Sequence, residues 1–343
     1  MAQHLSRRHM VGSLAALGAC SAFDAFAQDT IQSIYEAAKK EGKVTFFSSN
    51  DVKPNQESAK RFAKKFPGIE VEAFKIEPGP AIERIISEAS SGRQSADVVD
   101  SPISYTPLLM NRDLVVAFPY DKVFGVPSED LLFGDRAVHS YNLDVPIAFN
   151  TTMAKSSDFA GGWESIADPK WRGKVLLEAR GILFPLLALA WGEERAYGLL
   201  QKIIANKPII IKGGTPTIEA LAGGQGAVAV GTYGGRVLQY QKDGAPVDWA
   251  RVGPIPAMIY VQMVVKGAPH PNAALLWAYW TSTPDHLEEL FKHHYFGRLR
   301  GPTISPLGKE MQAAGAEIVF ETTDAAEMQR LLAKAGAMIG GLK

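Results

Sequence analysis

The sequence predicts an α/β protein with two lobes that are joined by two extended segments. Helix and strand patterns alternate from Thr30 onward, and repeated βα units form a mostly parallel sheet with right-handed crossovers. Short extended runs at residues 145–150 and 257–265 interrupt this alternation and are predicted to cross between the lobes. The length of 343 residues agrees with two domains, or with one large one.

The first lobe begins with an amphipathic helix and continues as alternating strands and helices. Ile31, Ile34, Tyr35 and Ala38 lie on one helical face, and Gly42 ends this helix. Short apolar or alternating runs indicate strands, whereas apolar residues at helical spacing indicate helices. These patterns predict strands at 44–48, 69–73 and 96–100 and helices at 55–66 and 80–90.

Further βα units lie between the two extended runs, and helices dominate after the second run. The patterns predict strands at 174–178, 209–212 and 227–231 and helices at 184–191, 217–222, 271–280, 284–293 and 324–337. Lobe 1 is therefore assigned to residues 28–147 and 258–300, and lobe 2 to residues 148–257. Part of the segment 301–343 is expected to pack on lobe 2.

Residues 1–27 have the pattern of an export signal. Arg7 and Arg8 precede an apolar stretch at residues 10–23, and Ala25-Phe26-Ala27 forms a small-residue cleavage site. The apolar stretch is shorter than the roughly 20 residues that span a bilayer. Residues 6–11 resemble a twin-arginine signal, although Met and Val stand where Phe and Leu are usual. The predicted location is therefore the periplasm.

Cys20 has two interpretations. The residues Leu17-Gly18-Ala19-Cys20 resemble a lipobox, which would give the exported protein a lipid anchor at Cys20. Alternatively, Cys20 is a small apolar residue of the signal, and cleavage follows Ala27. The exported chain then has no cysteine, which suits an oxidising compartment and excludes catalytic cysteine chemistry.

The composition and the missing motifs argue against several functions. The 36 basic and 36 acidic residues balance, so the basic excess of a nucleic-acid binder is absent. One cysteine provides neither a disulfide framework nor a cysteine-rich metal cluster. The sequence has no hydrolase elbow, phosphate-binding loop, zinc-protease motif or dinucleotide fingerprint. The adjacent His293 and His294 do not share a helix face. We therefore predict no enzyme activity, no cofactor and no metal site.

Candidate ligand-binding residues follow the carboxyl ends of the predicted strands, where open α/β sheets bind ligands. In lobe 1 they are Ser48, Ser49, Asn50 and Asp51 after the first strand and Ser101 after the third strand. The alternative for the first loop is a solvated helix cap. Pro102 removes an amide donor beside Ser101, so this loop offers little beyond a hydroxyl group.

Lobe 2 provides two further loops. Arg180 and Gly181 follow one strand, and the arginine could bind a carboxylate or phosphate, or pair with Glu178 at the surface. Residues 212–217 join a strand to a helix, and their glycines allow close approach to an anion at the helix N-terminus. A tight turn with a helix cap is the alternative. The assigned residues of lobe 2 and its crossing segment are Asn150, Arg180, Gly181, Gly214, Thr215, Thr217 and Tyr233, of which Tyr233 is either a cleft wall or a core residue.

Motifs spread along residues 30–300 resemble periplasmic solute-binding proteins of ABC importers, in the branch that binds ferric iron, thiamine, phosphonates and sugar phosphates. The most specific is Asp168-Pro169-Lys170-Trp171-Arg172-Gly173-Lys174. Weaker ones agree with it in order, namely residues 34–44, Ala96-Asp97-Val98, Ala148-Phe149-Asn150-Thr151, Trp163-Glu164 and residues 270–274. The resemblance implies the type II periplasmic-binding-protein fold, in which two lobes close on a solute like a Venus flytrap.

The resemblance also implies partners. The expected partners are a small-molecule solute and an ABC permease in the inner membrane, with no nucleic acid, and the protein is expected to be a monomer. An exported enzyme or a sensory module on the same fold would be the alternatives, because sequence alone does not separate an importer component from a sensor.

The sequence departs from the ferric-iron pattern of that branch. Ferric binders use a histidine after the first strand, a glutamate after the Ala-Asp-Val strand and two adjacent tyrosines. Here the first loop has no histidine, Pro102 stands at the glutamate position, and Gly234 follows Tyr233. Ferric iron needs several anionic oxygen ligands. We therefore predict a small carboxylated or phosphorylated organic anion as the ligand, with ferric iron or thiamine as alternatives.

Overall fold

The computed structural model describes residues 30–301 and 304–341. The predicted export signal and Cys20 lie outside the described residues. Among the described residues, no helix is long and apolar enough to cross a membrane.

Strands and helices alternate through most of the described chain. The strands are β1 (Lys43–Ser48), β2 (Glu70–Lys75), β3 (Val98–Pro102), β4 (Leu131–Leu132), β5 (Ala137–Asp144), β6 (Ala148–Asn150), β7 (Val175–Glu178), β8 (Ile209–Ile211), β9 (Val228–Val230), β10 (Val247–Trp249), β11 (Ile255–Val264) and β12 (Ile318–Phe320). The helices are α1 (30–41), α2 (Val52–Lys65), α3 (Pro78–Ser90), α4 (Thr106–Met110), α5 (Tyr120–Phe124), α6 (Leu183–Trp191), α7 (Glu193–Ala205), α8 (Gly214–Ala222), α9 (Gly234–Lys242), α10 (Pro271–Thr281), α11 (Pro284–His294), α12 (Pro306–Ala313) and α13 (Ala325–Gly340). Short 3-10 helices occupy Ile103–Tyr105, Ser128–Asp130, Ser156–Phe159, Gly162–Ala167 and Pro169–Trp171.

The first sheet has the strand order β2-β1-β3-β11-β5-β4, and β12 pairs with the start of β11. β1 runs parallel to β2 and β3, whereas β11 runs antiparallel to β3 and β5. An aromatic cluster packs helices α2 and α10 together, since the ring of Phe62 lies 5.2 Å from that of Trp277 and 5.4 Å from that of Trp280. The sheet and these helices form lobe 1.

The second sheet has the strand order β10-β6-β9-β7-β8. β7 runs parallel to β8 and β9, and β6 runs antiparallel to β9 and β10. Helix α6 is apolar and buried over most of its length, and the rings of Phe159 and Trp171 stack at 5.8 Å beside it in the same core. The sheet and its helices form lobe 2, so the α/β class is confirmed.

Two adjacent segments connect the lobes. The first, residues 145–147, follows β5, and the second, residues 250–254, precedes β11. The Val145 N–H donates to the Pro256 carbonyl at 2.8 Å, and the Ala250 N–H donates to the Ile147 carbonyl at 2.9 Å. The second crossing therefore precedes the predicted position, because most of residues 257–265 belong to β11 in the first sheet. Helix α13 packs on α6 and α7 of lobe 2 and reaches α4 of lobe 1.

Candidate functional site

A cavity of about 380 Å³ lies between the lobes, at the carboxyl ends of strands from both sheets. The loops after β1, β2, β7 and β8 and the residues after β9 line it, as expected for an open α/β sheet. Its lining residues are Ser49, Asn50, Asp51, Lys75, Glu77, Leu143, Arg180, Gly213, Gly214, Thr215, Pro216, Tyr233, Arg236, Tyr260 and Phe296.

The cavity brings together more than half of the residues that the sequence assigned to the site. These residues are Ser49, Asn50, Asp51, Arg180, Gly214, Thr215 and Tyr233. They come from loops that are far apart in the chain, and the shared strand-end position explains why they meet. Their contact with a ligand stays a prediction.

Three other assigned residues lie in the interior instead of lining the cavity. The Ser48 hydroxyl donates to Asp100 Oδ2 at 3.0 Å, and the Ser101 hydroxyl donates to the Pro102 carbonyl at 3.1 Å. Asn150 Nδ2 donates to the Leu221 carbonyl at 2.9 Å, which fixes the end of the first crossing segment. Each of these side chains is buried and forms its hydrogen bond within the protein.

Gly181 and Thr217 also lie away from the cavity lining. Gly181 has a φ of +63°, and an added Cβ would lie 2.7 Å from Ile339 Cδ1, so this glycine permits the close packing of α13. Thr217 is fully buried, and its hydroxyl donates to the Gly213 carbonyl at 2.8 Å. Neither Thr215 nor Thr217 is the helix cap, because α8 begins at Gly214 and Gly213 is its N-cap.

Sequence reasoning missed several charged and aromatic residues of the cavity. Lys75 ends β2 and Glu77 follows it, and the strand-end rule would have found them had the predicted strand not stopped at residue 73. Arg236 lies in the first turn of α9, a helix that begins with two glycines and was not predicted. Tyr260 and Phe296 come from β11 and from the segment after α11, where no sequence signal marked them.

Ion pairs cross the cleft between the lobes. Asp51 of lobe 1 accepts from Arg236 Nη2 of lobe 2 at 2.8 Å and from Lys75 Nζ at 2.8 Å. A looser contact of 3.8 Å joins Glu77 of lobe 1 to Arg180 Nη1 of lobe 2. Carboxylates of lobe 1 thus face the arginines of lobe 2 across the cleft.

Arg180 is held in place from within lobe 2. Its Nε donates to Glu178 Oε1 at 2.8 Å, and its Nη2 donates to the Tyr233 hydroxyl at 3.3 Å. The predicted pair with Glu178 therefore exists, but the arginine also faces the cavity. The Tyr233 ring lies against the start of α8, where an added Cβ on Gly214 would be 2.9 Å from Tyr233 Cε2. Gly213 has no side chain to cap this helix, so its first amides have no side-chain acceptor from the N-cap residue, and Gly213, Gly214 and Thr215 line the cavity.

The buried Asp100 holds the loop after β1 in place through hydrogen bonds. Its carboxyl accepts from Ser48 Oγ, from the Tyr141 hydroxyl at 2.9 Å and from Gln262 Nε2 at 3.2 Å. Ser48 Oγ in turn accepts from the Asn50 N–H at 3.1 Å, which positions the loop that lines the cleft. Burial raises the pKa of Asp100 to about 7, although the hydrogen bonds from Tyr141 and Ser48 oppose this shift.

The raised pKa of Asp100 predicts a pH dependence of stability. An unfolded aspartate titrates near pH 3.9. Between this pH and pH 7 the folded state binds more protons than the unfolded state, so the stabilising contribution of Asp100 is complete below about pH 4 and falls as the pH rises. The free energy of unfolding of the wild type, relative to that of Asp100→Asn, should fall by about 1.4 kcal/mol per pH unit in this range. Urea denaturation of both proteins at pH 4.5 to 7.5 measures this difference, and a constant difference would contradict the prediction.

Metal-binding potential at the site is limited. Within residues 30–301 and 304–341, no three or more His, Cys, Asp or Glu side chains form a group that could hold a metal ion. Tyr233 and Tyr260 place two phenols in the cavity, but burial raises the pKa of both hydroxyls, which opposes the phenolate form that ferric iron prefers. Arg180 beside Tyr233 partly offsets this effect on the Tyr233 pKa.

Comparison with known proteins shows the fold. No family model matches the chain, and no match was found among the curated proteins. Among solved structures, an ABC transporter substrate-binding protein from Bradyrhizobium japonicum is 19% identical, with a TM-score of 0.71 over 87% of this chain and 99% of that chain. Iron-bound HitA from Pseudomonas aeruginosa is 17% identical, with a TM-score of 0.69 over 86% of this chain and 99% of that chain.

A third similar structure is AfuA, a periplasmic binding protein from Actinobacillus pleuropneumoniae with fructose-6-phosphate bound. It is 18% identical, with a TM-score of 0.66 over 87% of this chain and 99% of that chain. The chain therefore has the two-lobed fold of periplasmic substrate-binding proteins, and the resemblance that the sequence motifs indicated is confirmed at the level of the fold.

Proposed function

We propose that this protein captures a small carboxylated or phosphorylated organic anion between its lobes and delivers it to an ABC permease in the inner membrane. The observation that carries this proposal is the pairing of the arginines of lobe 2 with carboxylates of lobe 1 across the cleft. Asp51 pairs with Arg236 at 2.8 Å, and Glu77 lies 3.8 Å from Arg180. A ligand anion that enters the open cleft would replace these carboxylates on the arginines.

The proposed anion site combines three kinds of donor. Arg236 offers a planar guanidinium that can bind a carboxylate or phosphate through two hydrogen bonds. The N-terminus of α8 adds amide donors and a partial positive charge. The Tyr233 hydroxyl and Lys75 provide further donors at the edge of the cavity. The partner of Arg180 is Glu178 of the same lobe, whereas the partner of Arg236 is Asp51 of the other lobe, so we assign Arg180 to orientation of the ligand and Arg236 to its charge.

The proposed transport role follows from the fold and from the predicted signal. The similar solved structures are substrate-binding proteins, and one of them is described as periplasmic. Delivery would follow the hinge motion of the two crossing segments, with the closed form presenting both lobes to the permease. An enzyme or a sensor on the same fold would bind its ligand in the same cleft. The first test of the proposal is therefore which solute the cleft binds.

Ferric iron is the second candidate, since Tyr233 and Tyr260 place two phenol oxygens in the cavity. HitA was solved with iron, and a Trichodesmium protein of the same fold was solved with iron and citrate. Arg180 and Arg236 oppose a bare cation at this position. Thiamine, also a cation, would have to pair with Asp51 or Glu77 instead.

A thermal-shift screen of the purified protein tests the proposal, after unfolding and refolding to remove any carried solute. The panel contains sugar phosphates, phosphonates, carboxylates, thiamine and ferric citrate. A ligand at 100 times its Kd adds about 2.7 kcal/mol to the free energy of unfolding, which raises Tm measurably. We expect shifts with organic anions. A shift with ferric citrate but not with free citrate would favour iron, and no shift with any anion would contradict the proposal.

A further inference from the structure

A second cavity of about 290 Å³ adjoins the proposed anion site on the side of α13. Most of its wall is apolar, and residues from both lobes and from α13 contribute. The apolar lining includes Pro80, Pro102, Ile182, Met258, Met328 and Leu332. We call this cavity the apolar chamber.

The apolar chamber and the anion cavity share one boundary. Glu77, Arg180, Tyr233 and Tyr260 line both of them. The 3.8 Å between Glu77 Oε2 and Arg180 Nη1 exceeds a hydrogen-bond distance, so no direct hydrogen bond joins these two side chains across the boundary. A ligand held by its anionic group beside Arg236 would have the apolar chamber next to it.

The carboxyl group inside the apolar chamber, that of Glu321, already has hydrogen-bond partners. Glu321 accepts from Ser104 Oγ at 2.9 Å and from the Ile259 N–H at 2.9 Å. Burial raises the pKa of Glu321 to about 8, so this carboxyl is largely protonated at neutral pH. The remaining charged lining residues, Glu77 and Arg180, lie at the boundary. The interior therefore suits an uncharged, apolar group.

We propose that the apolar chamber is a binding subsite for an apolar substituent of the anionic ligand, about the size of a six-membered ring. Engineered apolar cavities of about 150 Å³ bind benzene, so the chamber has room for such a ring. Two methionines in its wall allow the lining to adjust to a ring or to a branched chain. The preferred solute is then an arylalkyl or similarly substituted carboxylate or phosphate. This inference rests on the proposed function.

Two matched pairs of probes test the inference by calorimetric titration, namely methyl phosphate against phenyl phosphate and acetate against phenylacetate. In the wild type, the ring-bearing probe of a pair should bind roughly tenfold to a hundredfold more tightly. Gly79→Phe should remove this preference, because Gly79 lines the chamber in α3 and an added Cβ meets no atom within 4 Å. Gly336→Phe is the control, since this helical glycine is equally open but lies outside both cavities.

The outcomes separate the inference from the proposed function. A preference in the wild type and in Gly336→Phe that disappears in Gly79→Phe supports the apolar chamber. Equal affinities for both members of a pair overturn the chamber but leave the anion site intact. A preference that Gly79→Phe retains also overturns it, because the ring would then bind elsewhere. If no probe of either pair binds, the proposed function fails and the inference fails with it.

Discussion

Replacement of Arg236 by methionine should weaken the binding of anionic ligands by about a hundredfold or more. Arg236 is nearly buried at the cleft, with 11% of its side chain exposed, and it pairs with Asp51 at 2.8 Å. Its guanidinium lies 5.1 Å from the ring centre of Phe296, and its Nη1 donates to Gln239 Oε1 at 2.9 Å. These two contacts hold the guanidinium group in one orientation. Charge-assisted hydrogen bonds from such a group each contribute about 1.5–3 kcal/mol, and a hundredfold loss corresponds to about 2.7 kcal/mol.

The measurement is a calorimetric titration of the wild type, Arg236→Met and Arg112→Met with the strongest anion from the screen. Arg112 is exposed, donates to the Leu108 carbonyl and lies away from the cavity, so Arg112→Met controls for the loss of a charge from the protein. Arg236→Met should retain the wild-type circular dichroism spectrum. An unchanged affinity in a folded Arg236→Met protein would remove Arg236 from the anion site.

Replacement of Arg298 by methionine should lower the free energy of unfolding by about 3–5 kcal/mol. Arg298 is buried and forms an ion pair with Asp130, and its Nε donates to the Ser140 carbonyl at 3.1 Å. Removal of the guanidinium would leave the Asp130 carboxylate buried without its main partner. The same contacts hold the segment before α12 against β5, so Phe296 at the cavity depends on them.

Urea denaturation at pH 7 measures this effect, with Arg300→Met as the control. Arg300 is two residues away and exposed, with its guanidinium 4.1 Å from the ring centre of Phe320. Loss of an exposed cation–π contact costs about 0.5–1 kcal/mol. Comparable losses in both variants would show that the Arg298 ion pair contributes little beyond a surface contact.

The hydrophobic pattern was sufficient to predict the elements whose faces are clearly apolar or amphipathic. Helix α3 and strand β7 were predicted nearly to their ends, because α3 buries one helical face and β7 is a short run that is buried throughout. Strand β5 was missed because its sequence carries polar side chains, among them His139, Ser140 and Asn142, at positions that are all buried. For Asn142 the partners come from distant segments, since its Oδ1 accepts from the Leu299 N–H at 3.0 Å and its Nδ2 donates to the Met258 carbonyl at 3.2 Å. No local pattern contains that information.

At the candidate site, too, the sequence predicts what depends on local pattern but not what depends on contacts between distant segments. Strand-end loops could be located from sequence because the position follows from sheet geometry, and this found Asp51, Arg180 and Tyr233. Which side chain of a loop faces the cavity depends on packing that is not local. Ser48 and Asn50 are two residues apart, yet they face different surroundings. The Ser48 hydroxyl donates to the buried Asp100, whereas Asn50 lines the cavity. The role of Tyr260 depends on the pairing of β11 with two strands that are distant in sequence.

The proposed preference of the cleft for a negatively charged organic solute is tested most directly by a pair of equal-sized solutes of opposite charge. Phenylacetate and phenethylamine differ little in shape but carry −1 and +1 charges at neutral pH. Calorimetric titration of the refolded wild-type protein should show that phenylacetate binds at least about a hundredfold more tightly, since it meets Arg236 and the N-terminus of α8. Equal binding of the two, or tighter binding of the amine to Asp51 and Glu77, would contradict the account.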